Sequence, residues 1–235
     1  MRQDISDIIE FEIIEKLDTT VKVVYASPVE NNTQVIRLCD VKFLRLFGVM
    51  WYLDESEYFS VLNYNEDGSL TVTASNEGIE AYKGQVLKLK KPFYLKGTPR
   101  AVNFEWNKLS EIEGLKLPLV WLVNPTNEKF ISDPPIERTS DCRLFLLTKA
   151  NFADDWTKEH REKNVIPLIN LADEIVKSIN KNQLYFNRLI DFDVKDFARF
   201  GTEDTTGIIK NIIDAKLSGV EMRFSLDVLK QNCKC

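Results

Sequence analysis

His160 is the only histidine in the chain, so any Ser-His-Asp or Cys-His arrangement would have to use it. It sits in the charged run Lys158-Glu159-His160-Arg161-Glu162-Lys163. That run reads as a solvated helix surface, not as the positioned pocket that general-base work needs. Gly201 to Gly207 combines glycines with hydroxyls but lacks the lysine of a phosphate loop, and it reads as an exposed polar loop. Gly97-Thr98-Pro99 reads as a turn. The acidic pairs Asp154-Asp155, Asp191/Asp193 and Glu203-Asp204 are of the type that holds Mg²⁺, yet no spacing among them is diagnostic and solvated loop ends explain them more simply. Cys39, Cys142, Cys233 and Cys235 read as free thiols of a reducing compartment. Cys142 is expected in the core, and Cys233-Lys234-Cys235 supplies only two of the four ligands of a structural metal site. The expectation is no catalytic, cofactor-binding or metal-ligating set, and a protein that is not an enzyme.

Composition narrows the partners. The chain has 235 residues, 44% of them hydrophobic and 29% charged, enough to bury a real core in one large domain or two small ones. A net charge of −5, with both signs spread along the chain, argues against a nucleic-acid clamp, which needs a basic stripe. Trp51, Trp106, Trp121 and Trp156, with fourteen phenylalanines, are candidate stacking platforms for single strands. Three of those tryptophans fall at core-phase positions, so core is the better reading. No signal peptide is visible, and the apolar runs fall short of the roughly 20 residues of a membrane span; the expectation is a soluble protein made in the cytoplasm.

The elements that would have to position any site can be read from periodicity. Ile5, Ile8, Ile9, Ile13 and Leu17 share one face of a helix over residues 4–17, with Asp4 or Ser6 as its cap. Six short runs rich in β-branched residues follow: Thr20 to Tyr25, Gln34 to Leu38, Val49 to Leu53, Tyr58 to Tyr64, Ser69 to Ala74 and Gln85 to Leu89. Asp67-Gly68 is a hairpin signal. Spacing of about ten residues predicts a small barrel or sandwich over 19–96, and a small barrel of this kind leaves an OB-like, nucleic-acid-binding alternative open.

A helix is expected from Val102 to Ile112. The run Leu117 to Val123 is apolar on both alternating faces, as in a central strand covered on both sides; Arg143 to Leu147 within the second run, Cys142 to Thr148, has the same character, and the two are expected to pair, with Pro118 near the start of the first. Residues 124–141, eighteen with three prolines, read as a long functional loop. Trp156 to Asn180 predicts a long helix, interrupted near Asn164, with Pro167 in its first turn. Phe186 to Asp193 reads as a strand, 197–207 as a loop, Ile208 to Ala215 as a short helix or turn, and Val220 to Leu226 as a closing strand. The expected class is α+β, an antiparallel sheet covered by helices, built from 1–18 plus 97–235 with 19–96 inserted.

At Gly97-Thr98-Pro99, Leu117 to Leu122, Ile136-Glu137-Arg138-Thr139-Ser140 and Cys142 to Leu147 the sequence resembles virion proteins of tailed bacteriophages of Bacteroidota hosts, including crAss-like phages. Asp155 to His160 and Val165 to Leu171 continue the pattern, so it covers most of 97–180. Without 19–96, the plan is similar to the tail-terminator and neck (head–tail connector) fold. The resemblance implies a ring subunit of the neck or tail joining the capsid portal to the tail. Its partners would be copies of itself in a cyclic hexamer or dodecamer, adjacent portal, neck and tail ring proteins, and genomic DNA only in passage through the channel. The implied location is the virion. Such proteins have no active site, so no functional residue is carried over. The inserted barrel and the Cys233-Lys234-Cys235 tail depart from the minimal fold. The 124–141 excursion is the expected contact to a neighbouring subunit or ring.

Overall fold

The computed structural model describes residues 4–39, 46, 50–53, 57–65, 67, 69–73, 82–88, 91–108, 116–123, 127–132, 135–149, 158–197, 200, 202–203, 209–210 and 217–229. The chain divides into two compact units, 1–17 with 92–235, and 18–91. It is a mixed α/β protein with antiparallel and mixed sheets and few helices. Among the described residues no helix is long and apolar enough to cross a membrane.

The first unit begins with α1 (Ile5–Ile9), capped by Asp4, whose carboxylate accepts from the Ser6 N–H at 2.8 Å. A π-helical turn, Glu10–Ile14, continues it. The wider turn keeps Ile9, Ile13 and Ile14 wholly buried.

The second unit holds β1 (Thr20–Ala26), β2 (Thr33–Leu38), β3 (Met50–Leu53), β4 (Glu57–Tyr64), β5 (Leu70–Thr73) and β6 (Val86–Lys88). Each of the six expected runs overlaps one of these strands, to within a residue at each end. All their pairings are antiparallel, and the path β1-β2-β5-β4-β3-β6 returns to β1 through Thr20↔Lys88, Val21↔Leu87 and Lys22↔Val86. Val23, Ile36, Val72 and Leu87 are fully buried in it. Asn31 and Asn32 both hold positive φ (51° and 59°) in the β1–β2 connection, the backbone that suits a two-residue hairpin turn. Between β4 and β5 the Asp67 carboxylate accepts from the Ser69 N–H at 3.0 Å and its hydroxyl at 2.6 Å.

The rest of the first unit runs β7 (Phe93–Gly97), α2 (Pro99–Lys108), β8 (Leu119–Val123), β9 (Asn127–Phe130), β10 (Ile136–Lys149), α3 (Lys158–His160), a π-helical turn (Arg161–Val165), α4 (Ile166–Lys181), β11 (Asp193–Phe197), β12 (Thr202–Glu203), β13 (Ile209–Lys210) and β14 (Leu217–Leu229). The sheet order is β11-β14-β10-β8-β7, with β9 also on β10. β10 is its spine. One edge pairs with β14 from end to end, and the other is shared between β9 (138–141) and β8 (144–147).

As expected, the two apolar runs pair and lie centrally. Their odd residues, Leu119, Trp121, Phe145 and Leu147, form one cluster with Val102 and Trp106 of α2. On the other face, Val120, Leu122, Leu144 and Leu146 are equally buried. α4 packs against β10 and β14 and is tied to the first helix, since Ser178 Oγ donates to the Ile13 carbonyl at 3.1 Å.

Several expectations are corrected. The sheet is mixed, because β7 runs parallel to β8; the expected antiparallel class overlooked Phe93–Gly97 as a strand. Residues 124–141 are not one loop: Asn127–Phe130 and 136–141 are strands, held by the Asn127↔Asp141 to Phe130↔Arg138 ladder. Polar Arg138, Thr139 and Ser140 disguised the first half of β10. The expected strand at Phe186 to Asp193 is reduced to a bridge, Phe186↔Val228, and the pairing resumes at β11, in what reads as its polar end. Ile209–Lys210 is strand, not helix, and pairs with Thr202–Glu203 inside the supposed loop. Residues 211–215, 109–115, Gly68 and Pro134 lie outside the described set.

Candidate functional site

Among the described residues, those singled out for chemistry do not converge on one site. His160 is buried, not solvated (4% exposed), with its Nδ1 3.1 Å from Asn164 Nδ2. The π-helical turn after it explains the error. One extra residue per turn brings Val165 into phase with His160, so the buried stripe of α4 extends back through a run of charged neighbours. Gly97 ends β7 with φ 128°, a value open to glycine. Its carbonyl accepts from Trp121 Nε1 at 2.9 Å. Thr98 then caps α2, its hydroxyl accepting from the Ala101 N–H at 3.4 Å, and Pro99 opens the helix. These three residues join strand to helix. Trp106 and Trp121 are core (3% and 1% exposed). The side chain of Trp51, and Asp154, Asp155, Trp156, Gly201, Asp204 to Gly207, Cys233 and Cys235, lie outside the described residues.

Cys39 is exposed and Cys142 buried, and both are free thiols. Burial pushes the Cys142 thiol up to about 12, with the charges of Asp141 and Glu128 adding to it. It therefore stays protonated and un-nucleophilic at neutral pH. Among the described residues no cluster of three or more His, Cys, Asp or Glu is placed to hold a metal ion.

One concave feature among the described residues of the first unit is an open pocket of about 930 Å³ over the middle of the β10–β14 ribbon, with Asn127, Asp141, Arg143, Asp193, Arg223 and Ser225 in its lining. Backbone register assembles it. Arg143 stands opposite Arg223, which stands opposite Asp193, and Asp141 stands opposite Ser225.

Two like-charged guanidiniums side by side would repel. Glu221, two residues along on the same face, resolves this: Arg223 Nε donates to its Oε1 at 2.6 Å and Arg143 Nε donates to the same oxygen. Burial alone would raise the Glu221 carboxyl, but the hydrogen bonds from Arg223 and Arg143 outweigh it and hold the group below its ordinary value. The Arg143 guanidinium also lies 4.8 Å from the Phe145 ring centre, a cation–π contact that joins the polar floor to the aromatic cluster. Ser225 Oγ donates to the Asp141 carboxylate, so that hydroxyl is hydrogen-bonded to an acid and to no imidazole.

This arrangement is a polar surface whose two guanidiniums share the Glu221 carboxylate and sit among Asp141, Asp191 and Asp193. It can present fixed charges and hydrogen-bond groups to a partner. It lacks the nucleophile-and-base pairing that acyl or phosphoryl transfer requires.

Sequence reasoning missed the Arg143–Glu221–Arg223 group because strand register alone brings its members together. The available signal was the odd-numbered polar phase Glu221, Arg223, Ser225 set against the even-numbered apolar Val220, Met222, Phe224. No protein-family model matches the chain, and no curated protein or solved structure is similar to it.

Proposed function

We propose that this chain is a structural virion protein, a ring-forming subunit of a tailed-phage neck or tail surrounding the DNA channel. Besides the resemblance of residues 97–180, one observation carries the reading. The central sheet carries two dissimilar short strands at opposite sides, β9 with all four residues exposed and β11 with its first three exposed. A closed ring needs two different complementary surfaces on each subunit, repeated around an axis, and this sheet offers two. In this reading the first and fourth helices form the helical layer over one face of a tail-terminator-like sheet. The second unit is an inserted barrel, and the polar ribbon between β9 and β11 faces neighbouring rings. The net charge of −5 suits a channel through which DNA slides without sticking.

Mass photometry of the purified protein, followed by negative-stain imaging, tests this. Closed rings of about six or twelve copies are the expected outcome, as cyclic closure allows. A monomer at every concentration, with salt-sensitive retention of single-stranded DNA, would replace this reading with nucleic-acid binding by an OB-like barrel. One observation favours that second reading: Tyr25 is half exposed and stands opposite Arg37. Against it, Arg37 is already ion-paired to Asp67, and six strands pair in the closed path where an OB barrel has five.

A further inference from the structure

We infer that the pocket over the β10–β14 ribbon seats an extended peptide segment that carries an acidic side chain and, two residues along, a lysine or arginine. The inference goes beyond the ring reading and does not need it, since it concerns one surface of a single copy.

The pocket has two ends of opposite character. At one end Arg143 and Arg223 stand side by side on neighbouring strands. Each donates its Nε–H to the buried Glu221, which fixes both forks and leaves their Nη groups over. Both side chains are half exposed, and among the described residues neither guanidinium has another hydrogen-bond partner. Two guanidiniums held in this way are a ready seat for a carboxylate. At the other end Asp193 stands opposite Arg223 on β11, and Asp191 lines the same pocket two residues earlier. Both of these acids are exposed.

Charge balance excludes the simpler ligands. Glu221, Asp141, Asp191 and Asp193 outnumber the two arginines, so a chain of phosphates would meet a net negative site. A bare metal cation would meet the two guanidiniums, and among the described residues no three acidic, cysteine or histidine side chains are placed to ligate it. A ligand bearing both charges suits both ends.

Spacing then selects a peptide. Neighbouring strands lie about 4.8 Å apart, which puts the midpoint of the two arginine strands about 7 Å from β11. Side chains i and i+2 of an extended chain stand about 6.5–7 Å apart on one side. A segment crossing the strands therefore sets its acid over Arg143 and Arg223 and its base over Asp193. Ile190 and Phe192 line that second end, and Ile190 is 77% exposed. They offer apolar surface to the stem of a long basic side chain. At about 930 Å³ the pocket has room for several residues of chain.

The test is fluorescence anisotropy of the full chain against dye-labelled five-residue peptides. The probes are Ala-Glu-Ala-Lys-Ala, its Glu-Ala-Glu and Lys-Ala-Lys counterparts, and Ala-Glu-Lys-Ala-Ala, in which the charges are adjacent. The first should saturate and the other three should bind at least about tenfold more weakly, the scale of one charge-assisted hydrogen bond. Arg143→Gln combined with Arg223→Gln should weaken the first probe by about the same factor.

Asp191→Lys combined with Asp193→Lys changes two exposed side chains and should turn the preference to the Glu-Ala-Glu probe, a switch that unfolding cannot produce. Equal binding of the Lys-Ala-Lys probe would reduce the pocket to an acidic rim and overturn the inference. So would equal binding of the adjacent-charge probe, or no saturation by any probe at millimolar concentration. Mass photometry reads the ring separately, so either conclusion can fail while the other stands.

Discussion

The two halves of β10 share one strand and one partner, β14, yet they are different materials. Residues 142–149 are flanked by β8 and carry apolar side chains on both faces, and Leu144, Leu146 and Leu147 are completely buried. Residues 136–141 are flanked by β9 and carry Arg138, Thr139, Ser140 and Asp141. The first of these is buried against Glu128, 3.3 Å away, and the last is exposed. Packing fixes the one half and pairwise polar contacts fix the other. A strand that leaves its core in this way keeps its backbone order while trading apolar packing for polar contacts.

Breaking the buried half should produce the largest effect. Trp121→Ala removes the largest fully buried side chain among the described residues, a ring tilted against Phe145 at 5.3 Å and edge-on to Phe200 at 5.7 Å. It should cost about 3–5 kcal/mol in urea unfolding, as deletion of a core aromatic does. A loss below ~1 kcal/mol would mean that the two halves do not differ as described. Next comes Gly219→Ala. An added Cβ would meet the Leu146 carbonyl oxygen at 2.5 Å and the Phe197 ring at 3.1 Å, so the backbone would have to shift. A loss of about 1–3 kcal/mol is expected, read from the same unfolding curves.

At the junction, Glu221→Gln should cost about 1 kcal/mol at neutral pH, since both arginine partners are half exposed and solvent screens them. Glu221 has a carboxyl held below its ordinary 4.5 in the folded state. Its contribution is therefore present above pH ~4.5 and is lost as pH falls through the lower folded value. The stability gap between wild type and Glu221→Gln should close on acidification. A gap that stays constant down to pH 3 would assign the effect to shape and not to charge.

In the polar half, Thr139→Val deletes the 2.6 Å hydrogen bond to Asp227 and should cost only about 0.5–1.5 kcal/mol. Far-UV circular dichroism should be unchanged. A loss as large as that of Trp121→Ala would erase the distinction between the halves.

The same division marks what could be read in the sequence. Leu119 to Val123 and Leu144 to Leu147 announced themselves because burial on both faces leaves an unbroken apolar run. The six strands of 18–91 were visible as short runs rich in β-branched residues at about ten-residue spacing. Residues 136–141 were hidden because pairing to β14 and β9, not burial, makes them a strand, and the sequence carries no mark of who pairs with whom. Phe93 to Lys96 was read as the end of the inserted segment 19–96, and Gly97 as part of the turn that follows, where the structure has one strand on β8. His160 was masked by charged neighbours, since the π-helical turn shifts the helical phase by one residue. The Arg143–Glu221–Arg223 group, joined across 78 positions, exists only once the register is set.

The bond from Ser178 to the Ile13 carbonyl spans 165 positions of the chain, and that span has a consequence for biogenesis. At about 5–20 residues per second, the ribosome releases the first helix on the order of 10–30 s before the helix that buries it. Throughout that interval Ile5, Ile8, Ile9, Ile13 and Ile14 form a nascent apolar stripe without its seat. The intervening 18–91 segment makes all its strand pairings within itself and is free to fold during the wait. The first helix thus waits for its seat on the fourth while the segment after it can already fold.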